Sequence, residues 1–336
     1  MKILRTIVSV FAVLLLLFGC NASNEANKNK DSLSTDSIEE IEEVDDGYIK
    51  VGYLPTLDAL PLLVAQNEGY FDSLNVKVKL IRYEAGLDQD TAFAKKRING
   101  MVTDLCRAII LNSKNSSVKV ISKTDGVWYL VTARKQRLRK VQDMEERMIA
   151  IAREEASDYL LDRILEKGQV DLDIVNRPQI NNLPLRQHMI SSEEIDAGII
   201  PEPWATKAVV NGDRLIANNK ELNLQPGCIV FNQRTIVEKE AEIKIIAKAY
   251  NLAIQQINEQ PTKYNKLMQE SYGIDELVTD TLTLPQYKKL EQPKQADIDD
   301  AIKWLKNKYP EQDWLQTRIL KNEYNGKQLI DTRFIK

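Results

Sequence analysis

Two carboxylates in this sequence directly follow short apolar segments, and each stands where a helix is expected to begin. Glu202 lies between two prolines in the segment "GIIPEPWA", and Asp104 ends the segment "GMVTD". Pro203 disfavours the helical conformation for the residue before it, and the positive end of the following helix dipole favours an acid there. A carboxylate in this position can accept hydrogen bonds from a bound molecule. We therefore expect Glu202 to line a ligand cleft, with simple helix capping as the alternative.

Other polar, aromatic and glycine residues occupy similar junctions between an expected strand and the next helix. The candidate ligand-binding residues are Pro55, Thr56, Asp58, Gly86, Asp104, Asp125, Arg153, Ser157, Glu202 and Trp204. Each also has a structural interpretation as a cap, turn or core residue. Gly86 is expected to supply a positive φ or a close backbone approach. Arg153, the cation of this set, could pair with a carboxylate, sulfonate or phosphate, or with a neighbouring acid.

Positioning such junctions requires alternating strands and helices, and the sequence predicts two series of them. The expected strands are 48–54, 76–83, 100–104, 118–122, 126–134, 147–153, 194–200 and 227–234. The expected helices are 58–71, 86–98, 105–113, 156–168, 183–192 and 203–212, followed by a mainly helical chain beyond 234. Candidate helix caps are Asp58, Asp88 or Thr91, and Ser157, with Gly69 and Gly168 as terminators. This alternation predicts an α/β fold with mostly parallel sheets.

The folded part is expected to have two lobes. Roughly 290 residues follow Gly47, more than one core usually holds. The segments "INGMVTDL" (98–105) and "IDAGIIPEP" (195–203) share one design, an apolar strand followed by an acid, and each falls in a different series. Because open α/β sheets bind ligands at the carboxyl ends of their strands, these acids are expected to face each other across a cleft.

The amino terminus has the order of a secretory signal. Lys2 and Arg5 precede an apolar run that ends at Gly19 and Cys20. The segment "LFGC" resembles the bacterial lipobox, which predicts a signal peptide over 1–19 and lipid attachment at Cys20. Residues 20–46 are dominated by Asn, Ser, Lys, Asp and Glu and should form a solvated, disordered tether. A cleaved, soluble secreted protein is the alternative.

Composition argues against several classes of function. The 46 Lys and Arg residues face 49 Asp and Glu residues, so no basic face for nucleic acid is expected. Cys106 and Cys228 lie in apolar contexts and are expected to be buried thiols rather than a disulfide. The chain has a single histidine, His188, so the sequence argues against a zinc site or a Ser-His-Asp triad. We expect no metal, no cofactor and no catalytic residue.

Two longer motifs resemble a known family. The segment "VGYLPTLDALPLLVAQNEGYFDSLNVKVKLIRY" resembles the opening of the periplasmic solute-binding proteins for aliphatic sulfonates, taurine, nitrate and thiamine-pyrimidine precursors. The matching residues there are Gly52, Tyr53, Pro55, Val64, Ala65, Gly69, Tyr70 and Phe71. The segment "EIDAGIIPEPWAT" resembles the family signature through Asp196, Ala197, Glu202 and Pro203. With the closing "LIDTRFIK", the resemblance spans roughly 48–336.

The resemblance implies a two-lobed type II binding-protein fold, each lobe a mostly parallel sheet flanked by helices. By this analogy lobe one comprises 47–126 and 233–336, and lobe two comprises 135–222. The crossover segments 127–134 and 223–232 would form the hinge. An ABC permease and its ATPase subunit would then recognise the form of the protein that has closed around a small solute. The protein is expected to be a monomer held by its lipid on the extracytoplasmic side of a membrane.

The resemblance also has departures, and it leaves alternatives open. Asn99 stands where the family often has an acid, and the cysteine-rich motif of the related fungal enzymes has no counterpart here. An extracytoplasmic sensor without a transporter, or an enzyme on the same scaffold, remain the alternative functions. The solute could be a sulfonate- or nitrate-type anion or an aminopyrimidine-like heterocycle. A heterocycle needs hydrogen-bond acceptors and aromatic surfaces on which to stack. It is favoured by the candidate acceptors Asp104 and Glu202 and the aromatic residues Trp128 and Trp204.

Overall fold

The computed structural model describes residues 46–114, 117–312 and 326–335. The expected signal peptide 1–19, lipid attachment at Cys20 and the tether up to residue 45 lie outside the described residues. None of the helices within these ranges is long and apolar enough to cross a membrane.

Within the described ranges the chain forms a five-stranded and a four-stranded sheet. The strands are β1 (Ile49–Tyr53), β2 (Val78–Arg82), β3 (Gly100–Asp104), β4 (Val118–Lys123), β5 (Trp128–Thr132), β6 (Ile149–Ala150), β7 (Ala197–Pro201), β8 (Arg214–Asn218) and β9 (Gly227–Asn232). The first sheet has the order β2-β1-β3-β9-β4 and the second the order β6-β7-β5-β8. We refer to the parts built on the first and second sheets as lobe one and lobe two.

Each sheet contains a strand that runs against the others. β9 pairs antiparallel with both β3 and β4, and β5 pairs antiparallel with both β7 and β8. The remaining strands of each sheet run in a common direction, in keeping with the α/β fold expected from the sequence. The chain passes between the sheets at 124–127 and 219–226. The segments that the sequence analysis assigned to the hinge, 127–134 and 223–232, therefore each contribute a strand, β5 and β9, to a sheet.

Helices cover the faces of both sheets. They are α1 (Leu60–Asn67), α2 (Tyr70–Ser73), α3 (Gly86–Ala94), α4 (Leu105–Ser113), α5 (Ala156–Lys167), α6 (Leu183–Ser191), α7 (Trp204–Val210), α8 (Gln233–Glu238), α9 (Glu240–Glu259), α10 (Asn265–Tyr272), α11 (Glu276–Thr281) and α12 (Gln295–Lys308). Single turns of 3₁₀ helix occur at Leu57–Ala59, Arg134–Gln136, Val141–Met144, Lys220–Leu222, Pro261–Tyr264, Lys327–Leu329 and Thr332–Phe334.

Several expected helix caps are wrong. Asp58 lies inside the 3₁₀ turn before α1, and its carboxylate bonds elsewhere. α3 begins at Gly86, ahead of both Asp88 and Thr91, and α5 begins at Ala156, ahead of Ser157. α3 and α5 thus each start before the expected cap, so these residues fall within the first turns of the helix. Gly69 and Gly168 do follow the ends of α1 and α5.

Apolar residues of the described ranges form cores on both faces of the sheets, and each core draws on both lobes. One core contains Val51, Ile229, Tyr250, Val131 and Ile200. The other contains Met101, Cys228, Leu130, Leu160 and Trp304. Cys106 and Cys228 are both buried and free, as the sequence predicted. The lobes are thus packed against each other, with the strand ends between them.

The second sheet differs in two places from the sequence expectation. Strand β8 was not predicted, because "RLIAN" is half exposed and has no clear alternation of apolar and polar residues. The expected strand 147–153 shortens to Ile149–Ala150. Residues on either side of β6 make only isolated bridges, at Met148 and Ile151.

Candidate functional site

The ends of β1 and β7 meet directly between the lobes. The Leu57 amide donates to the Glu202 carbonyl at 3.0 Å. The Trp204 indole nitrogen donates to the Pro55 carbonyl at 2.8 Å. Leu57 and Pro55 follow β1 in lobe one, and the other two residues follow β7 in lobe two. We refer to the region where the strand ends of both lobes approach each other as the cleft.

Asp58 lies on the lobe-one side of the cleft, beside the crossing from β4 to β5. Its carboxylate accepts hydrogen bonds from the Gly126 amide at 3.2 Å, from the Thr56 hydroxyl at 3.4 Å and from the Thr124 hydroxyl. A Cβ on Gly126 would lie 2.1 Å from an Asp58 carboxylate oxygen, so a larger residue there would have to displace this carboxylate. Burial raises the pKa of Asp58, and the bonds from Thr124 and Gly126 partly oppose this.

Arg107, on α4, is a buried cation at the boundary between the lobes. Its guanidinium donates to one Glu155 oxygen of lobe two from Nη2 at 2.8 Å and from Nε at 3.2 Å. It also pairs with Asp90 on α3. Asp104 caps α4 by accepting from the Arg107 amide at 3.1 Å, and its second oxygen is 3.6 Å from Nε. A Cβ on Gly86 would lie 2.6 Å from Arg107 Cζ, so this glycine allows a close approach and does not adopt a positive φ.

The other side of Glu155 is held by residues of its own lobe. Its second oxygen accepts from the Ser157 hydroxyl at 2.6 Å and from Arg186 Nη2 at 3.4 Å. Arg186 is fully buried and also donates to the carbonyls of Ile180 at 2.8 Å and Ile199 at 3.0 Å. The Glu155 carboxylate thus lies between two arginines and a serine, one arginine coming from each lobe.

These buried charges shift each other's pKa values. Burial raises the pKa of Asp104 to about 7, and repulsion from Glu155 and Asp90 adds to this while Arg107 opposes it. Burial also disfavours the charged form of Glu155. Arg107 and Arg186 outweigh that effect, so the pKa of Glu155 lies below its usual range. At pH values below about 7, Asp104 is therefore largely protonated while Glu155 is ionised.

Glu202 has the capping role that the sequence analysis gave as the alternative. Its carboxylate accepts from the Thr206 amide at 2.9 Å, in the first turn of α7. The helix begins at Trp204, so Pro203 precedes it and is not its first residue. Burial raises the pKa of Glu202, opposed by the bonds from Thr206. Glu202 and Asp104 thus each accept a hydrogen bond from an amide in the first turn of the helix that follows a strand, α7 and α4.

Buried polar atoms without a hydrogen-bond partner occur at several strand ends, and Arg82 Nε at the end of β2 is one of them. Two others are the indole nitrogen of Trp128 in β5 and the hydroxyl of Thr103 in β3. Trp128 opens β5 opposite Pro201 at the end of β7, and Thr103 is the penultimate residue of β3. Trp128 is only 7 % exposed. Buried polar atoms are normally paired, so these two atoms mark places where a bound molecule could supply partners.

The remaining candidates are more widely placed. Asp125 is buried, and its carboxylate accepts from the Lys288 amide at 2.8 Å. Arg153 is exposed in the turn before α5, so the expected cation does not join the buried charges. His188 is exposed on α6. The structure thus gathers Asp104, Gly86 and Ser157 around the Arg107–Glu155 pair and leaves Arg153 outside it.

Sequence reasoning missed the charged residues that hold this group together. Arg107 lies within "LCRAIILNS", where one cation in an apolar helix could have indicated a buried ion pair. Arg186 lies in the expected helix 183–192, and Glu155 lies in the acidic run "REEASD". Among the described residues there is no group of His, Cys, Asp and Glu arranged to hold a metal ion.

The fold is that of a class of α/β binding proteins with two sheets and a cleft between their strand ends, and comparisons with known proteins agree. The NMT1/THI5-like family profile matches residues 56–264. The chain belongs to this NMT1/THI5-like family. A comparison with curated protein sequences gave no match.

Solved structures share this fold at low sequence identity. The ligand-binding component of an ABC-type import system from Staphylococcus aureus, with zinc bound, has a TM-score of 0.73 and 13 % identity, covering 86 % of this chain and 97 % of that one. The alkanesulfonate-binding protein SsuA from Xanthomonas axonopodis pv. citri, bound to MOPS, has a TM-score of 0.69 and 17 % identity, covering 81 % and 96 %. The periplasmic nitrate-binding protein NrtA from Synechocystis PCC 6803 has a TM-score of 0.66 and 9 % identity, covering 85 % and 91 %. At these identities the likeness concerns the fold.

Proposed function

We propose that this protein is the solute-binding component of an ABC importer and that it encloses a small molecule in the cleft between its lobes. The observation that carries the proposal is the pair of unpartnered polar atoms, on Trp128 and Thr103, at the edge where the strand ends of both lobes meet. Strand ends of open α/β sheets are the usual ligand position. Family membership and the fold shared with binding proteins support the same function.

The proposal is tested by replacing Trp128 with phenylalanine. The indole nitrogen donates no hydrogen bond within the protein, so the substitution breaks none. The smaller ring at this buried position should lower the free energy of unfolding by about 1–2 kcal/mol and leave the protein folded. If the solute accepts a hydrogen bond from the indole nitrogen, affinity should fall on the order of tenfold. Native mass spectrometry of the purified protein would first identify a bound molecule, and isothermal titration calorimetry would then compare both proteins. Unchanged affinity in the variant would remove Trp128 from the site.

Two solute classes agree with different observations. The sulfonate- and nitrate-binding proteins that share the fold favour an oxyanion. The buried acceptors Asp58, Asp104 and Glu202 favour an aminopyrimidine-like heterocycle, whose amino groups donate hydrogen bonds. Calorimetric titration with nitrate, an alkanesulfonate and an aminopyrimidine separates the two classes. Failure of all three, together with no co-purified molecule, would contradict solute binding as proposed.

We further propose that the protein is anchored at Cys20 to the extracytoplasmic side of a membrane and delivers its solute to a permease and ATPase. The signal-like 1–19 segment, the lipobox-like "LFGC" and the polar 20–46 segment support this. Replacing Cys20 with serine should release the protein from the membrane fraction or leave its signal uncut. A variant that fractionates and migrates like the wild type would exclude the anchor.

The alternative functions have separate tests. Chemical turnover of a bound solute would indicate an enzyme on this scaffold. A bound solute that is never imported, in cells whose genome lacks a neighbouring permease and ATPase gene, would indicate a sensor. The proposed transport role predicts neither result.

A further inference from the structure

The Glu155 carboxylate occupies a position with the chemistry of an anion-binding site. Arg107 donates two hydrogen bonds to one oxygen, and Ser157 and Arg186 each donate one to the other. The side chains of Arg107 and Glu155 are 6 % and 5 % exposed, and that of Arg186 is fully buried. Arginine, with its planar fork of donors, is the side chain that best fits carboxylates and other oxyanions.

The donors that surround Glu155 differ in how much they depend on it. Arg107 keeps Asp90 and Asp104 as acidic partners in its own lobe. Arg186 has Glu155 as its carboxylate partner, and its other acceptors are backbone carbonyls. Burial lowers the pKa of Arg186, which Glu155 opposes. Without an anion at this position, Arg186 would be a buried cation with no negative partner, which is strongly unfavourable.

We propose that Arg107, Arg186 and Ser157 form an anion-binding position between the lobes, and that the Glu155 carboxylate is its built-in occupant. Glu155 is then a specificity-determining residue, because an anionic solute can use these donors only in competition with it. This inference rests on the proposed solute-binding function for its biological meaning. The position itself can be tested without knowing the natural solute.

The test is chemical rescue of Glu155→Ala. This substitution removes a CH₂–COO⁻ group, which acetate reproduces and which nitrate approximates in size. Thermal unfolding of the full-length protein is measured with rising acetate or nitrate, against chloride at equal ionic strength and against neutral acetamide. The variant should gain stability in a saturable way with acetate and nitrate but not with acetamide, since a ligand that binds the folded state stabilises it. Its affinity for acetate should exceed that of the wild type by at least about tenfold.

Three control proteins make the result specific. Glu166→Ala removes a carboxylate that pairs with Arg163 at a more exposed position, 46 % accessible, and should show no rescue. Glu155→Gln fills the same space without charge and should respond little to either anion. Glu155→Ala combined with Arg186→Met should lose the rescue, because the buried cation that requires an anion is gone.

Each outcome decides the proposal. Equal responses of Glu155→Ala and Glu166→Ala to acetate would overturn it, as would equal rescue by acetamide. A Glu155→Ala protein that stays unfolded even in acetate would also overturn it, because the anion would then not replace the side chain. If rescue succeeds but the wild-type protein binds no solute, the anion position stands and the proposed transport function fails.

Discussion

Asp104 should make the stability of this protein fall as the pH rises toward neutrality. Its pKa is raised from 3.8 to about 7 in the folded state by burial and by the neighbouring acids. Between about pH 4 and about pH 7 the folded protein holds a proton on Asp104 that the unfolded chain has released. The contribution of Asp104 to the free energy of unfolding must therefore decrease across this range, by a total on the order of 4 kcal/mol, and become constant above it.

The substitution Asp104→Asn isolates this effect. Asparagine can still accept the hydrogen bond from the Arg107 amide that caps α4, so the helix keeps its cap. Asparagine cannot ionise, so the variant should not show the loss of stability that ionisation of Asp104 causes as the pH rises toward neutrality. The difference in unfolding free energy between variant and wild type should grow in favour of the variant by about 2–3 kcal/mol from pH 5 to pH 8.

Urea unfolding of both proteins at several pH values measures this difference. Other buried acids with raised pKa values, such as Asp58 and Glu202, are present in both proteins and cancel. Asp88→Asn, at an exposed position on α3, is the matched control for the substitution itself. A constant difference between Asp104→Asn and wild type would refute the reasoning, since Asp104 would then titrate alike in both states.

Three other substitutions have expected outcomes. Glu202→Gln should lower solute affinity by about ten- to a hundredfold if the Glu202 carboxylate contacts the solute. Unchanged affinity in this variant, together with a lower melting temperature for Glu202→Ala, would show that Glu202 is a helix cap and not a ligand contact. Gly86→Ala should lower the free energy of unfolding, measured in urea, by about 1–3 kcal/mol, because the new Cβ would lie 2.6 Å from Arg107 Cζ. A decrease below about 0.5 kcal/mol would mean that the Arg107 side chain moves aside freely. Trp304→Phe should lower the free energy of unfolding by about 1.5–3 kcal/mol, because the indole nitrogen donates a hydrogen bond to Asp162 at 2.7 Å across the lobes. Equal urea midpoints for this variant and the wild type would contradict this prediction.

The sequence predicts much of this fold because its strands are short, apolar and flanked by clear helix starts. β3 and β7 come from segments in which an apolar run leads directly into an acid and a helix. Such local patterns depend on neighbouring residues only, so they can be recognised without knowing the topology. Strand β8 shows the limit, because its half-exposed residues carry no strong alternation and sheet pairing, not local preference, determines its conformation.

The charged group of the cleft could be predicted only in part, because its members are distant in sequence. Asp104 and Ser157 were found from their positions next to strand ends, but their partner Arg107 lies inside a helix. Glu155 bonds to Arg107 at a separation of 48 residues and to Arg186 at a separation of 31. Such pairs depend on how the lobes pack, which no local pattern encodes. Arg153 lies outside this group for the same reason, since position after a strand does not determine which cation is buried.

The place of β9 in the first sheet has a consequence for the order in which the two sheets can be completed. β9 lies between β3 and β4 and supplies the pairing that joins β4 to the sheet. Residues Gly227–Asn232 follow all the strands of lobe two in the chain. Lobe two can therefore complete its sheet from one continuous segment, whereas lobe one needs a strand from beyond that segment. A chain truncated before residue 227 should contain an unfinished lobe one.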